Sequence, residues 1–500
     1  MSITDSTSAT TGTAAREAAL LAGIPTQLSI GGEWVDAADG ATLPVHDPST
    51  GEVLVRIADA GVDDGARALD AAVAAQDSWA ATPPRQRAEI LRRAFDLLQE
   101  RADDFALLMT LEMGKPLAEA RGEVTYGGEF LRWFGEEAVR IHGRYGLNPE
   151  GTGHMVVSQR PVGPCFLITP WNFPLAMATR KIAPALAAGC TVVVKPAALT
   201  PLTTLAFVAL LEEAGLPGGV VNVITTSHSS QVSSPIIADP RLRKLSFTGS
   251  TPVGQALLRE AANGVLRVSM ELGGNAPFLI FDSADVDKAV EGAVAAKYRN
   301  SGQTCVCTNR FYVQAGIYDE FAEKLAKKSE SLKVGPGTEE GTQQGPLIDM
   351  AAVEKVEELI ADAGSKGGKV LSGGNRHELG QTFFQPTVIS NATSEMRFSR
   401  EEIFGPVSPV FRFETEEEAI ALANDTEYGL SSGVLTANES RGLAIASALE
   451  TGMCHINCTS VNDEPHIPFG GAKSSGVGRH GGRWSNETFT ETRWITLDRG

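Results

Sequence analysis

Residues 163–200 read GPCFLITPWNFPLAMATRKIAPALAAGCTVVVKPAALT. Cys165 to Thr169 is an apolar strand, Pro170-Trp171-Asn172-Phe173-Pro174 is a turn, and a helix runs on through Ala188. Thr191 to Lys195 is a second strand, apolar on both faces. The order then repeats. Leu202 to Ala214 is a helix stopped by Gly215, and Val220 to Ile224 is a strand. Arg243 to Phe247 is another strand, followed by Thr248-Gly249-Ser250 and a helix from Val253. Strands of four or five apolar residues alternating with helices predict a parallel, doubly wound α/β sheet. Such sheets bind ligands beyond the carboxyl ends of their strands. Those ends here carry Asn172, Lys195 and Gly249-Ser250.

Upstream, residues 28–55 have the Gly and Pro-x-x-Gly punctuation of hairpins. From Asp63 the period becomes helical. An alanine-rich helix ends at Pro83-Pro84. The next, Arg85 to Glu100, places Ile90, Leu91, Ala94, Leu97 and Leu98 on one face. A third runs through Leu111 to Gly114, and Phe130 to Ala138 is also helical. Residues 154–160 lose that period and form a strand, a candidate oligomerisation arm or a surface hairpin. Downstream, Arg310–Val313 and Val407–Phe413 are strands. Asp319–Leu332, Met350–Ala363 and Glu416–Leu422 are helices, so a second α/β domain follows the first. The expected division is a disordered tail over 1–23 and a first domain from 24–139 and 161–270. A second domain covers 271–480, and an arm is built from 140–160 and 481–500.

Five hundred residues exceed what one core usually holds. A formal charge of -18 argues against nucleic acid or an anionic membrane as a partner. Six cysteines make no disulfide framework. The first ~20 residues lack a signal peptide's basic start and apolar core, which implies a cytoplasmic protein. Cys454, His455, Cys458 and His466 fit no common zinc spacing, so no metal is expected.

Two residues carry chemistry. Glu271 is a lone carboxylate in an apolar run before Gly273-Gly274, where an unpartnered charge would be costly. Cys305 follows the polar, turn-like Gly302-Gln303-Thr304. A thiol and a carboxylate suffice to form a thioester and then hydrolyse it. No GxGxxG is present. The strand–turn–helix at Gly249-Ser250 has small residues that let backbone approach a phosphate at a helix N-terminus, and a ligand-free turn fits as well. Lys195 either snorkels out of the core or meets a ribose or phosphate.

The motifs Pro170-Trp-Asn-Phe-Pro174, Lys195-Pro196-Ala197, Phe247-Thr-Gly-Ser250, Glu271-Leu-Gly-Gly274 and Gly302-Gln-Thr-Cys305 occur in one chain with Glu402-Ile-Phe-Gly-Pro406 and Pro468-Phe-Gly-Gly471. In this order, over nearly the whole length, they make the chain resemble the aldehyde dehydrogenases. The resemblance implies a Rossmann-like cofactor domain, a catalytic domain, an oligomerisation arm and a homo-oligomer, either dimer or tetramer. It implies Cys305 as nucleophile and Glu271 as the base for the deacylating water. Asn172 and the Cys305 N–H would form the oxyanion hole, and Lys181 would relay protons. For the cofactor it implies Thr169, Trp171, Asn172, Lys195, Ala198, Gly249, Ser250, Leu272, Glu402 and Phe404.

Within the family, Lys297-Tyr-Arg-Asn-Ser-Gly-Gln-Thr-Cys305 and Thr179-Arg180-Lys181 resemble succinate-semialdehyde dehydrogenases. There, arginines at the places of Arg180 and Arg299 hold the far carboxylate, as a planar guanidinium suits, and Phe469 borders the same pocket; the alternative for either arginine is a structural ion pair. The segment Asn462-Asp-Glu-Pro-His466 and the end at Arg483-Trp484 instead resemble benzaldehyde and vanillin dehydrogenases. A serine-containing loop stands at that segment's place in the semialdehyde enzymes. Cys307 would be a redox partner of Cys305, or a packing thiol. NAD-preferring relatives often carry a glutamate where this chain has Ala198, so NADP is expected to be preferred, with some use of NAD.

Overall fold

The computed structural model describes residues 14–498. Residues 1–13 of the expected tail lie outside it. Residues 14–22 are helical, contrary to the expected disorder. Their alanine-rich composition favours helix, and Leu20 and Leu21 pack on the main core.

The first domain is an eight-stranded sheet. Its centre is five parallel strands in the spatial order Val221–Val223, Val192–Lys195, Cys165–Ile168, Lys244–Thr248, Arg267–Glu271. This is the doubly wound order, with the reversal between Cys165–Ile168 and Lys244–Thr248. The edges are antiparallel: the hairpin Leu28–Ile30 and Glu33–Val35 on one side, Gly476–Val477 on the other. The central strands Cys165–Ile168 and Val192–Lys195 are buried on both faces, which is why they are nearly unbroken apolar runs. Helices Val62–Ala81, Pro84–Glu100, Ala102–Met113 and Leu117–Glu137 join this domain. Gly114, at φ 88°, ends the third in the left-handed conformation that glycine adopts most easily.

The second domain has a seven-stranded sheet in the order Lys369–Ser372, Thr387–Ala392, Val407–Phe413, Thr308–Gln314, Ala276–Ile280, Gly433–Leu435, His455–Ile456. All pairs are parallel except the first. A three-stranded antiparallel sheet joins Arg144–Leu147, Gly153–Pro161 and Thr490–Asp498. The C-terminal part of the expected arm is divided. Gly482–Phe489 is a helix whose Phe489 is buried in the first domain's core, and only Thr490–Asp498 continues as the arm strand. No described helix is long and apolar enough to cross a membrane.

Candidate active site

A cavity of about 1310 Å3 opens beyond the carboxyl ends of the first sheet's strands, at the reversal point. Thr169, Trp171, Asn172, Lys195 and Ala198 line it, as do Gly249, Ser250, Leu272, Glu402 and Phe404. The second domain contributes Arg299, Cys305 and Phe469. The structure therefore brings most of the sequence-derived site residues to one space. Glu271, Lys181 and Arg180 stand behind its wall, all buried. The thiol of Cys307 faces away. It reaches the carbonyls of Lys297 and Thr308 at 3.5 and 3.6 Å, so a bond to Cys305 would require it to leave both.

The turn that presents Cys305 is unusual. Asn300, Ser301 and Gly302 have φ of 54°, 56° and 75°, three consecutive left-handed residues. Such backbone costs free energy at non-glycine residues and persists only where its surroundings hold it. Here the N–H of Asn300 donates to the Glu119 carboxylate at 2.7 Å, and its side-chain amide donates to the Asn172 carbonyl at 3.1 Å. Ser301 donates to the Gly345 carbonyl at 2.9 Å, and Gln303 accepts from the N–H of Ile348 at 2.9 Å. A Cβ at Gly302 would overlap the carbonyl of Gly405.

Asn172 is fixed from two sides. Its side-chain amide donates to the Gln303 carbonyl at 2.9 Å, which keeps it beside the turn that carries Cys305. Its own carbonyl accepts from Lys115 at 2.8 Å. Lys115 is paired with Glu123, both fully buried. Glu123 in turn accepts the N–H groups of Leu175 and Ala176 at 3.0 and 3.1 Å, satisfying orphan donors at the start of helix Ala176–Ala188.

Glu271 ends strand Arg267–Glu271, and the glycines after it bring that chain against Cys305. A Cβ on Gly274 would overlap the Cys305 carbonyl. The Gly274 N–H donates to Glu402 at 2.9 Å. The Glu271 carboxylate has Arg180 at 3.5 Å, while its other oxygen has no hydrogen-bond partner and lies 3.9 Å from His480. Neither ring nitrogen of the buried His480 has a partner either.

Burial dominates the titration of these groups. It pushes the Cys305 thiol up to about 12, and the negative charges of Glu271 and Glu402 add to the effect. It raises Glu402 to about 7 and lowers Lys181 to about 7 and Lys195 to about 8. Burial and the nearby cations Lys181 and Arg180 hold His480 well below the usual imidazole range. Lys181, donating to Ser246 at 2.9 Å, can therefore exchange a proton near neutrality.

The end of the cavity at Lys195 suits a dinucleotide. Lys195 donates to Ser229 at 3.2 Å, at the first turn of helix Ser229–Ala238. A cation, hydroxyls and a helix N-terminus together form a phosphate site. The lining segments 195–199 and 227–234 contain no carboxylate. Trp171 and Phe404 meet edge to face at 5.4 Å, with Phe404 held at φ 53°.

At the other end the sequence concealed three residues. Tyr126, Asp463 and His480 surround Arg180 and Glu271. The segment holding Asp463 stood out by its departure from the semialdehyde pattern, but nothing indicated which of its side chains turns inward. Arg180 lies behind Tyr126 and Asp463, so it does not face the cavity as Arg299 does. Among the described residues no cluster of His, Cys, Asp and Glu forms a metal site.

A model of the aldehyde dehydrogenase family matches residues 34–495. A succinate-semialdehyde dehydrogenase of Paenarthrobacter nicotinovorans is 53% identical over 89% of this chain and 99% of its own length. A glutarate-semialdehyde dehydrogenase of Pseudomonas aeruginosa is 50% identical over 94% of this chain and 97% of its own. The crystal structure of an NADP-dependent enzyme of E. coli superposes with a TM-score of 0.93 at 48% identity, covering 95% of this chain and 98% of that one.

Proposed function

Because the chain belongs to the aldehyde dehydrogenase family and is an NAD(P)-dependent oxidoreductase of that kind, we propose that it oxidises succinate semialdehyde to succinate, preferring NADP. The observation that carries the substrate is Arg299. It lines the cavity with Cys305, lies 5.5 Å over the Phe173 ring with the charge of Glu119 nearby, and among the described residues has no carboxylate oxygen within 4.0 Å. A guanidinium left open there suits an aldehyde with an acid group at its far end. Both relatives named above act on such semialdehydes.

The chemistry follows from the residues. The Cys305 sulfur bonds to the aldehyde carbon as its proton leaves, with Glu271 the nearby acceptor. The oxyanion accepts hydrogen bonds from the Asn172 amide and the Cys305 N–H, a contribution of about 3 kcal/mol for one such donor. A bound nicotinamide supplies the hydride acceptor. The Cys305 thioester is then attacked by water, whose proton Glu271 takes, with Lys181 and His480 beside it. Lys195, Ser229, Gly249 and Ser250 would hold the dinucleotide's ribose and phosphates, Glu402 the nicotinamide ribose, and Trp171, Leu272 and Phe404 the cleft. NADP preference rests on Lys195 and Ser229 and on the absence of a carboxylate at Ala198. Assembly into a homo-oligomer rests on the exposed three-stranded arm.

A second reading, oxidation of aromatic aldehydes, is favoured by one observation: Asp463 already neutralises Arg180, beside the aromatic rings of Phe469 and Tyr126. The deciding experiment compares kcat/KM for succinate semialdehyde and benzaldehyde with NADP, in the native enzyme and in Arg299→Met. We expect the semialdehyde to win in the native enzyme and to lose at least tenfold in the variant, mainly through KM. A native preference for benzaldehyde establishes the second reading.

A further inference from the structure

Arg180 is 1% exposed and ringed by its own protein. One guanidinium nitrogen meets both the Asp463 carboxylate and the Tyr126 hydroxyl, and that hydroxyl donates to the same Asp463 oxygen. Another lies 3.5 Å from Glu271. The group's flat face rests 4.1 Å from the centre of the Phe469 ring. Asp463 and Tyr126 line the cavity, and Arg180 does not. A carboxylate from the loop before Phe469 thus stands between this cation and the space next to Cys305.

We propose that Asp463 is a specificity-determining residue. It acts as a built-in ligand of Arg180, taking the place that a substrate's far carboxylate would otherwise occupy. The inference rests on the cavity being an aldehyde site, and it concerns how strongly that site favours acidic aldehydes over neutral ones.

Three physical points support it. Arg180 already has two carboxylates beside it, Glu271 and Asp463, so a further carboxylate there meets their repulsion. Asp463 is tethered, and a tethered ligand competes at an effective concentration in the millimolar range or above, without the entropy cost of bringing in a free molecule. Displacing it would also leave its carboxylate partly buried and unpaired, which is costly. Arg299 is then the only cation of the two arginines open to a ligand. A site with one open arginine and an aromatic wall accepts acidic and neutral aldehydes with less discrimination than a site with two.

The test uses Asp463→Asn, which keeps the shape and a hydrogen-bonding amide beside Tyr126, and Asp463→Ser, which removes the bulk as well. The readout is the ratio of kcat/KM for succinate semialdehyde to kcat/KM for butanal, of equal chain length. We expect that ratio to rise at least tenfold in both variants. A change below threefold in both overturns the proposal. A second readout needs no turnover: protection of Cys305 from iodoacetamide by succinate. Half-protection should require at least fivefold less succinate in Asp463→Asn than in the native enzyme, and an unchanged requirement overturns the proposal. If the native enzyme oxidises neither aldehyde, the functional reading fails, while the protection measurement still decides the role of Asp463.

Discussion

At the scale of single residues, the site poses a charge problem. As the proposed nucleophile, Cys305 must act as a thiolate, yet burial and two carboxylates hold its thiol up at about 12 in the free protein. Its alkylation should therefore be slow at pH 7 and rise about tenfold per pH unit, since the thiolate fraction does so below the pKa. Glu271 raises that pKa, so Glu271→Gln must lower it and speed alkylation at pH 8. Iodoacetamide kinetics between pH 7 and 10 check this, and a slower variant would show Glu271 acting as the thiol's base even without substrate. The proposed preference for NADP is tested in the same local way, at Ala198. Ala198→Glu places a carboxylate near Lys195 and should cut kcat/KM with NADP at least tenfold while sparing NAD. Steady-state rates with both nucleotides measure it. Residues of this kind were legible because motif and chemistry coincide: Cys305, Glu271, Asn172 and Lys195 each stand at a strand end or tight turn. Asp463 and His480 were not. Their importance comes from which buried group each one faces, and one-dimensional spacing carries no such information.

At the scale of elements, the turn that presents Cys305 leans on a neighbouring helix, whose Glu119 accepts the N–H of Asn300. Lys115 and Glu123 link helix Leu117–Glu137 to the start of Ala176–Ala188 and to the carbonyl of Asn172. Breaking a buried pair from one side typically costs about 3–5 kcal/mol, because the remaining charge is uncompensated. Glu123→Gln should lower the thermal midpoint and also kcat, since Asn172 loses its anchor. Calorimetry with a kcat measurement separates this from a purely structural role, which would leave kcat unchanged in the folded fraction. Strands Cys165–Ile168 and Val192–Lys195 were readable because burial on both faces makes them nearly unbroken apolar runs. Thr387–Ala392, with Ser390 and Asn391 in it, and the two-residue His455–Ile456 are too polar or too short to give that signal. Helix 14–22 was missed because a Ser/Thr-rich start masked the alanine-rich segment after it.

At the scale of the whole molecule, the three-stranded arm exposes more apolar surface than a free sheet normally would. Tyr145 and Trp494 are each 69% exposed, and Leu147 and Leu497 are open as well. Surfaces of this kind mark association sites. Trp494→Glu combined with Leu147→Glu should shift the protein toward smaller species in sedimentation velocity. An unchanged sedimentation coefficient would place the interface elsewhere. The net charge of -18, informative about nucleic acid, does not bear on this prediction, because the side chains it tests are apolar. The crossings of the chain carry one further consequence, for its synthesis. The five parallel strands are complete by Glu271, yet their sheet receives its edge, Gly476–Val477, only after the whole second domain has been made. Phe489, whose carbonyl accepts from Val162 at 3.0 Å, and the partner of strand Gly153–Pro161 arrive later still. On the ribosome, the nascent first half must therefore wait with an open sheet edge and an unfilled core until translation is nearly finished. An open edge and an unfilled core of this kind are what chaperones capture, so the interval before Phe489 emerges is when their help is expected to matter.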